Sequence, residues 1–184
     1  MIPLPGSYNV TNALIAYTVG RFFGLSIEEI RLGLANVAVT QNRTEWLTAG
    51  NGASILSDVY NANPTAMGLV LDTFGQLPSE GRRIAVLADM LELGPDSLQM
   101  HASMSEHIKP DKYAVIFLYG QQMRALKEAL EKQYPTLSVL YVEKEKEELI
   151  KAIKEELHPE DSILLKGSNS MKLNEVVQQL MEMK

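Results

Sequence analysis

The chain has 184 residues, 46% of them hydrophobic and none of them cysteine, and its net charge is −6. Such a balance excludes intrinsic disorder, and the missing cysteine excludes disulfides, thiolate metal sites and cysteine catalysis. An acidic chain without a basic patch speaks against nucleic acid as its partner, and no apolar run approaches the roughly 20 residues that span a bilayer.

The N-terminus, MIPLPGSYNV, has no basic start followed by an apolar stretch, so no signal peptide is read and a cytoplasmic location is expected. Residues 9–23 and 26–36 then read as two helices joined near Gly24. Their apolar positions, among them Leu14, Ile15, Val19, Phe22 and Phe23, are many for a lone helical pair. This suggests the tail of another domain, with a boundary near residues 38–45.

From residue 53 the pattern changes. ASILSDV at 53–59 reads as a strand, and Pro64 can open the helix that follows to about residue 76. RIAVLADM at 83–90 is a continuous apolar run, as expected of a strand buried on both faces. Residues 97–108 read as helix, 112–119 as strand, 121–132 as helix, 138–142 as strand and 145–157 as helix. A last strand at 161–166 and a last helix at 171–183 complete the order. Strands alternating with helices of this length make parallel βαβ units, hence an α/β fold with a doubly wound, mostly parallel open sheet of about six strands. In such sheets ligands bind beyond the carboxyl ends of the strands, which selects the loops 58–64, 88–96 and 166–170.

The sequence contains neither GxxxxGK[ST] nor a GxGxxG after a strand, and no GxSxG. His101 and His107 are six apart, on different faces of a helix, so no metal-ligating set is read. Asp58 can accept hydrogen bonds from ribose hydroxyls, and Asn61 and Asn63 can pair with polar ligand groups. The same residue types equally suit a tight turn and a helix cap. Ala88 to Gly94, with His101 a turn later, is either a second ligand loop or a plain strand-to-helix connection. Lys166, Gly167 and Ser168 precede a helix and form either an anion site or an ordinary loop.

Five segments, in this order and spacing, carry more information than any one alone. GSYNVTNALIA at 6–16, NRTE at 42–45, DVYNANP at 58–64, LADMLELG at 87–94 followed by His101, and LLKGSNSM at 164–171 together resemble the Mur ligases of peptidoglycan synthesis. The likeness runs over essentially the whole chain. DVYNANP points to the branch that joins D-Ala-D-Ala to UDP-N-acetylmuramoyl-tripeptide. The family has an N-terminal uridine-nucleotide domain, a central ATPase domain and a C-terminal Rossmann-like domain. The resemblance implies that residues 1–40 are the last helices of the central domain and residues 41–184 the C-terminal domain. The phosphate loop would then lie upstream, Met1 would be an added start, and this chain alone would be inactive.

The family reaction uses ATP and Mg2+ to phosphorylate the tripeptide carboxylate, and the amine of D-Ala-D-Ala then attacks the acyl phosphate. By resemblance, Asn9 and Asn12 lie near the adenine, Arg43 reaches the ATP phosphates or ribose, and Asp58 holds the ribose hydroxyls. Tyr60, Asn61 and Asn63 match the loop facing the incoming dipeptide. Lys166, Gly167 and Ser168 match the loop that meets its carboxylate. The parent enzyme would be a monomer, without nucleic-acid or membrane partners. The chain departs from the family pattern at Tyr8 (usually histidine), at Asn42 and Ala88 (commonly glycine), and at Asn169 (frequently arginine). Two rival readings stay open. One is another Mur-like amide ligase, amino-acid-adding or polyglutamylating, which DVYNANP disfavours. The other is a non-catalytic Rossmann-like ligand-binding module, which the fold pattern alone would favour.

Overall fold

The computed structural model describes residues 6–37 and 43–183, with Ser7 and Tyr8 described by their backbone only. Met1, the Tyr8 side chain, Asn42 and residues 38–42 of the expected boundary lie outside the described residues. The chain divides into two compact units, Met1–Thr40 and Gln41–Lys184.

The first unit holds α1 (Ser7–Phe22) and α2 (Ile27–Ala35). Gly24, at φ +83°, makes the turn between them, a conformation that costs a residue without Cβ little. Ser26 opens α2 with a capping box. Its Oγ accepts from the Glu29 N–H at 3.2 Å, and the Glu29 carboxylate accepts from the Ser26 N–H at 2.8 Å. Ala13 and Ile30 are buried, whereas Leu14, Ile15, Val19, Phe22 and Phe23 are each at least half exposed.

The second unit contains, in chain order, β1 (Glu45–Thr48), β2 (Ser54–Asp58), α3 (Pro64–Phe74), β3 (Arg83–Ala88), α4 (Ser97–Ser103), β4 (Val115–Tyr119), α5 (Met123–Gln133), β5 (Ser138–Val142), α6 (Lys146–Glu156), β6 (Ser162–Lys166) and α7 (Leu173–Met181). The sheet order is β1-β2-β6-β3-β4-β5. All neighbours run parallel except β1 and β2. Five strands and their helices fall where the sequence periodicity places them, to within a few residues. Two features differ. β1 was not expected, because EWLT is a short, half-buried edge strand without an apolar run, and its pairing with β2 defines it. The helix expected over 97–108 is α-helical only to Ser103 and continues as a 3₁₀ turn over Met104–His107. Ser103, Ser105 and His107 are weak helix formers, and a tightened last turn is the usual result.

Side chains alternate across the strands and build a core on each face. Ile84, Val86, Phe117, Ile163 and Leu165 pack with Leu149 and Ile153 of α6 and Val176 and Leu180 of α7. Leu56, Leu87, Ile116, Leu118 and Leu164 pack with Val70 and Phe74 of α3, Met104, and Leu126 and Leu130 of α5. The helices therefore cover both faces, as in a doubly wound sheet.

The amino-end edge of the sheet is held by charge. Asp161 accepts from the Arg82 guanidinium at 2.7 and 3.2 Å, from the Arg82 N–H at 2.9 Å and from the His158 N–H at 2.9 Å. The Arg82 guanidinium also bonds the Glu156 carboxylate at 2.5 Å, tying α6 to β3 and β6. Burial pushes the Asp161 carboxyl up, but these donors outweigh it and hold the group below its ordinary value. Such a carboxylate stabilises the fold above its unfolded pKa, near pH 4, and that contribution is lost as pH falls through the lower folded value. Asp161→Asn should therefore cost about 2–3 kcal/mol at pH 7, and its deficit relative to wild type should shrink below about pH 4. Urea unfolding at pH 7 and pH 3, followed at Trp46, checks this; an equal deficit at both would contradict it.

Candidate active site

β6 lies between β2 and β3, and it sends its chain to the opposite face from theirs. α3 and α4 follow β2 and β3 on one face, while α7 follows β6 on the other. The topological switch point of the sheet therefore lies at the carboxyl end of β6, beside loops 58–64, 88–96 and 166–170.

Asp58 ends β2 and pairs in register with Lys166, which ends β6. The Lys166 side chain is 2% exposed and Asp58 15%. The Lys166 ammonium donates to Asp58 Oδ2 at 2.6 Å and to the Asn61 carbonyl at 3.0 Å. The antiparallel register of β1, with Glu45 opposite Ser57, brings residues 43 and 44 beside Asp58. The Thr44 N–H donates to Asp58 Oδ1 at 3.3 Å. Thr44 sits at φ +48°, a left-handed conformation unusual for a β-branched residue.

Arg43 lies with its guanidinium 4.4 Å from the centre of the Tyr60 ring, a cation–π contact on an exposed loop. Its charge is joined to no carboxylate among the described residues. Asp58 and Lys166 neutralise each other, so this end of the sheet presents the Arg43 cation, which suits a phosphate or carboxylate.

The two asparagines act as turn and cap. Asn61 Oδ1 accepts from the Ala62 N–H at 2.9 Å. Asn63 Oδ1 accepts from the Ala66 N–H at 2.8 Å and caps α3, with Pro64 in its first turn. Their backbone role thus shapes the loop that holds Tyr60.

Loops 88–96 and 166–170 are latched together. The Ser168 N–H donates to the Asp89 carbonyl at 3.1 Å, and Ser168 Oγ accepts from the Leu91 N–H at 2.8 Å. Gly167 is buried with the Ala88 Cβ 2.7 Å from where its own Cβ would stand, so only glycine lets the two strand ends come this close. The fully buried His101 accepts the Met90 N–H on Nε2 at 2.9 Å and lies 2.7 Å from the Ser97 carbonyl through Nδ1. Those partners define the Nδ1–H tautomer. Asp89 accepts the Met123 N–H at 2.9 Å at the start of α5; burial pushes its carboxyl up, against the lowering effect of backbone N–H groups at 121–123.

Among the expected site residues, Asp58, Lys166 and Asn61 are joined by hydrogen bonds, Arg43 meets Tyr60, Asn63 caps α3, and Gly167 and Ser168 pack against Ala88 and Asp89. Asn9 and Asn12 lie on α1 of the other unit, where the Asn12 amide donates to Asn9 Oδ1 at 3.3 Å. Sequence reasoning did not foresee the Thr44 N–H on Asp58 or the pinning of loop 88–96 by His101 and Asp89. The LADMLELG segment and its following histidine were the visible signal.

A family model described as "Mur ligase, glutamate ligase domain" matches residues 42–169. The UDP-N-acetylmuramoyl-tripeptide–D-alanyl-D-alanine ligase of Bacillus subtilis is 37% identical over 181 residues, covering 98% of this chain and 39% of that protein. A crystal structure of MurF from Acinetobacter baumannii superposes with a TM-score of 0.83 at 27% identity, over 99% of this chain and 39% of that one. MurF from Thermotoga maritima in complex with ADP, 19% identical, shares the fold with a TM-score of 0.71 over 90% of this chain and 36% of that one. The chain belongs to the Mur ligase family. It spans about two fifths of the length of the relatives it matches.

Proposed function

We propose that this chain is the C-terminal portion of an ATP-dependent ligase that joins D-Ala-D-Ala to UDP-N-acetylmuramoyl-tripeptide. The observation that carries the reading is the DVYNANP loop at the switch point, set beside Arg43 and Lys166, within a chain 37% identical to a ligase of that name. In this reaction a phosphoryl group passes from ATP to the tripeptide carboxylate, giving an acyl phosphate and ADP. The dipeptide amine attacks the acyl carbon, and inorganic phosphate leaves from the tetrahedral intermediate with its C–O electron pair.

The chain's own residues serve binding and orientation. Arg43 meets the phosphates or ribose, Asp58 accepts the ribose hydroxyls, and Tyr60, Asn61, Asn63 and the Lys166–Ser168 turn border the dipeptide. Asn9 and Asn12 lie near the adenine. No group of three or more His, Cys, Asp or Glu side chains among the described residues could hold a metal ion, so Mg2+ is assigned no ligand here.

The exposed apolar side chains of α1 and α2 support residues 1–40 as the end of a central ATPase domain. No helix among the described residues is long and apolar enough to cross a membrane. A cytoplasmic monomeric enzyme, without nucleic-acid partners, fits the nucleotide-linked substrate. The test is substrate profiling of the full-length protein with D-Ala-D-Ala, D-Ala-D-lactate and single amino acids. Phosphate release is expected with D-Ala-D-Ala, and none from this chain alone. Turnover with a single amino acid instead would assign the protein to another branch of the family.

A further inference from the structure

Resemblance assigns Lys166 to the dipeptide carboxylate, yet its ammonium faces elsewhere. The side chain is 2% exposed, and the ammonium donates to Asp58 Oδ2 at 2.6 Å and the Asn61 carbonyl at 3.0 Å. Register explains this: Asp58 and Lys166 are opposite one another on adjacent parallel strands, so the lysine stem rises directly beside the carboxylate. To reach a ligand, Lys166 would have to abandon a largely buried carboxylate, a loss its new contact would have to offset. Asp58 is differently placed. Its Oδ1 accepts the long Thr44 N–H bond and its Oδ2 the Lys166 bond, and each ionised oxygen retains acceptor capacity. It is also the more exposed of the pair.

We propose that Lys166 is a positioning residue that holds Asp58 ready for the nucleotide ribose, without touching the dipeptide carboxylate. This rests on the ligase reading above. The ammonium fixes which Asp58 lone pairs remain for hydroxyl hydrogens. It also cancels the carboxylate charge that would otherwise repel the nucleotide phosphates drawn by Arg43.

The test uses the full-length ligase that carries this chain, with Lys166→Met, Asp58→Ala and the double variant. Lys166→Met should raise KM for ATP about tenfold or more, the loss of one charge-assisted hydrogen bond. KM for D-Ala-D-Ala should move less than about twofold. In the Asp58→Ala background the same lysine substitution should leave KM for ATP unchanged within about twofold, because it acts through Asp58. A tenfold rise in KM for D-Ala-D-Ala with KM for ATP unmoved would overturn the inference alone. Wild-type enzyme without D-Ala-D-Ala turnover would overturn the ligase reading, and the inference with it. Should the variants fold poorly, ¹⁵N-lysine NMR of the wild-type ligase decides the matter. The Lys166 ammonium resonance should shift on ADP addition and stay in place on D-Ala-D-Ala addition, and the reverse response would refute the proposal.

Discussion

Asp58→Asn should destabilise the 41–184 unit by about 3–5 kcal/mol, the usual cost of removing one partner from a buried ion pair. The substitution keeps the shape of the side chain and a carbonyl acceptor. What it removes is the negative charge 2.6 Å from an ammonium that is 2% exposed. Lys166 is almost out of reach of water, so the cation stays in the protein with two neutral oxygens as its partners among the described residues. Urea unfolding at pH 7 reports the loss, with Trp46 as the probe: it is the single tryptophan of the chain, and its ring lies tilted 6.4 Å from that of Phe74 of α3, inside this unit. The double variant Asp58→Asn, Lys166→Met should lose clearly less than the sum of the single losses, because each single variant strands the other's partner. Added salt should hardly change the deficit, in contrast to an exposed pair such as Lys151 with Glu155. A deficit under about 1 kcal/mol, or strictly additive losses, would mean that the pair contributes little to the fold.

Gly120→Ala should be nearly as costly, about 3–4 kcal/mol, although Gly120 is not among the expected site residues. It follows β4 at φ +115°, a backbone region that L side chains rarely adopt. A Cβ there would stand 2.4 to 2.6 Å from the three carboxyl atoms of Asp89. That carboxylate is no flexible tip. It is buried, it accepts the Met123 N–H that starts α5, and its backbone carbonyl holds the Ser168 N–H. The methyl group must therefore displace either the cap of α5 or the latch between loops 88–96 and 166–170. In a domain of this size the melting temperature should fall by roughly 6–16 °C. Calorimetry of the variant beside wild type measures it, and a fall of less than about 2 °C would show that the Asp89 region yields easily.

The legible part of this fold was its periodic part. RIAVLADM and KYAVIFLY announce central strands because both of their faces are buried, and the helices between them show their apolar stripes. β1 was illegible because a four-residue edge strand has no pattern of its own; its partner β2 supplies the hydrogen bonds that define it. The end of α4 was misjudged because the change from α to 3₁₀ winding depends on weak local preferences. The candidate site divides the same way. Asp58, Arg43, Tyr60 and Lys166 stand out in the sequence by motif, but their pairing with one another, and the Thr44 N–H on Asp58, do not.

Residue order alone determined the α/β class and the family, because periodicity and motif spacing are local properties of the chain. Only the tertiary structure decided that Lys166 faces Asp58, that Asn63 caps a helix, and that Ser168, Asp89 and His101 bind two loops into one. Those contacts join residues up to 108 positions apart. They follow from strand order and register, which bring β6 between β2 and β3 and are set by packing of the whole sheet.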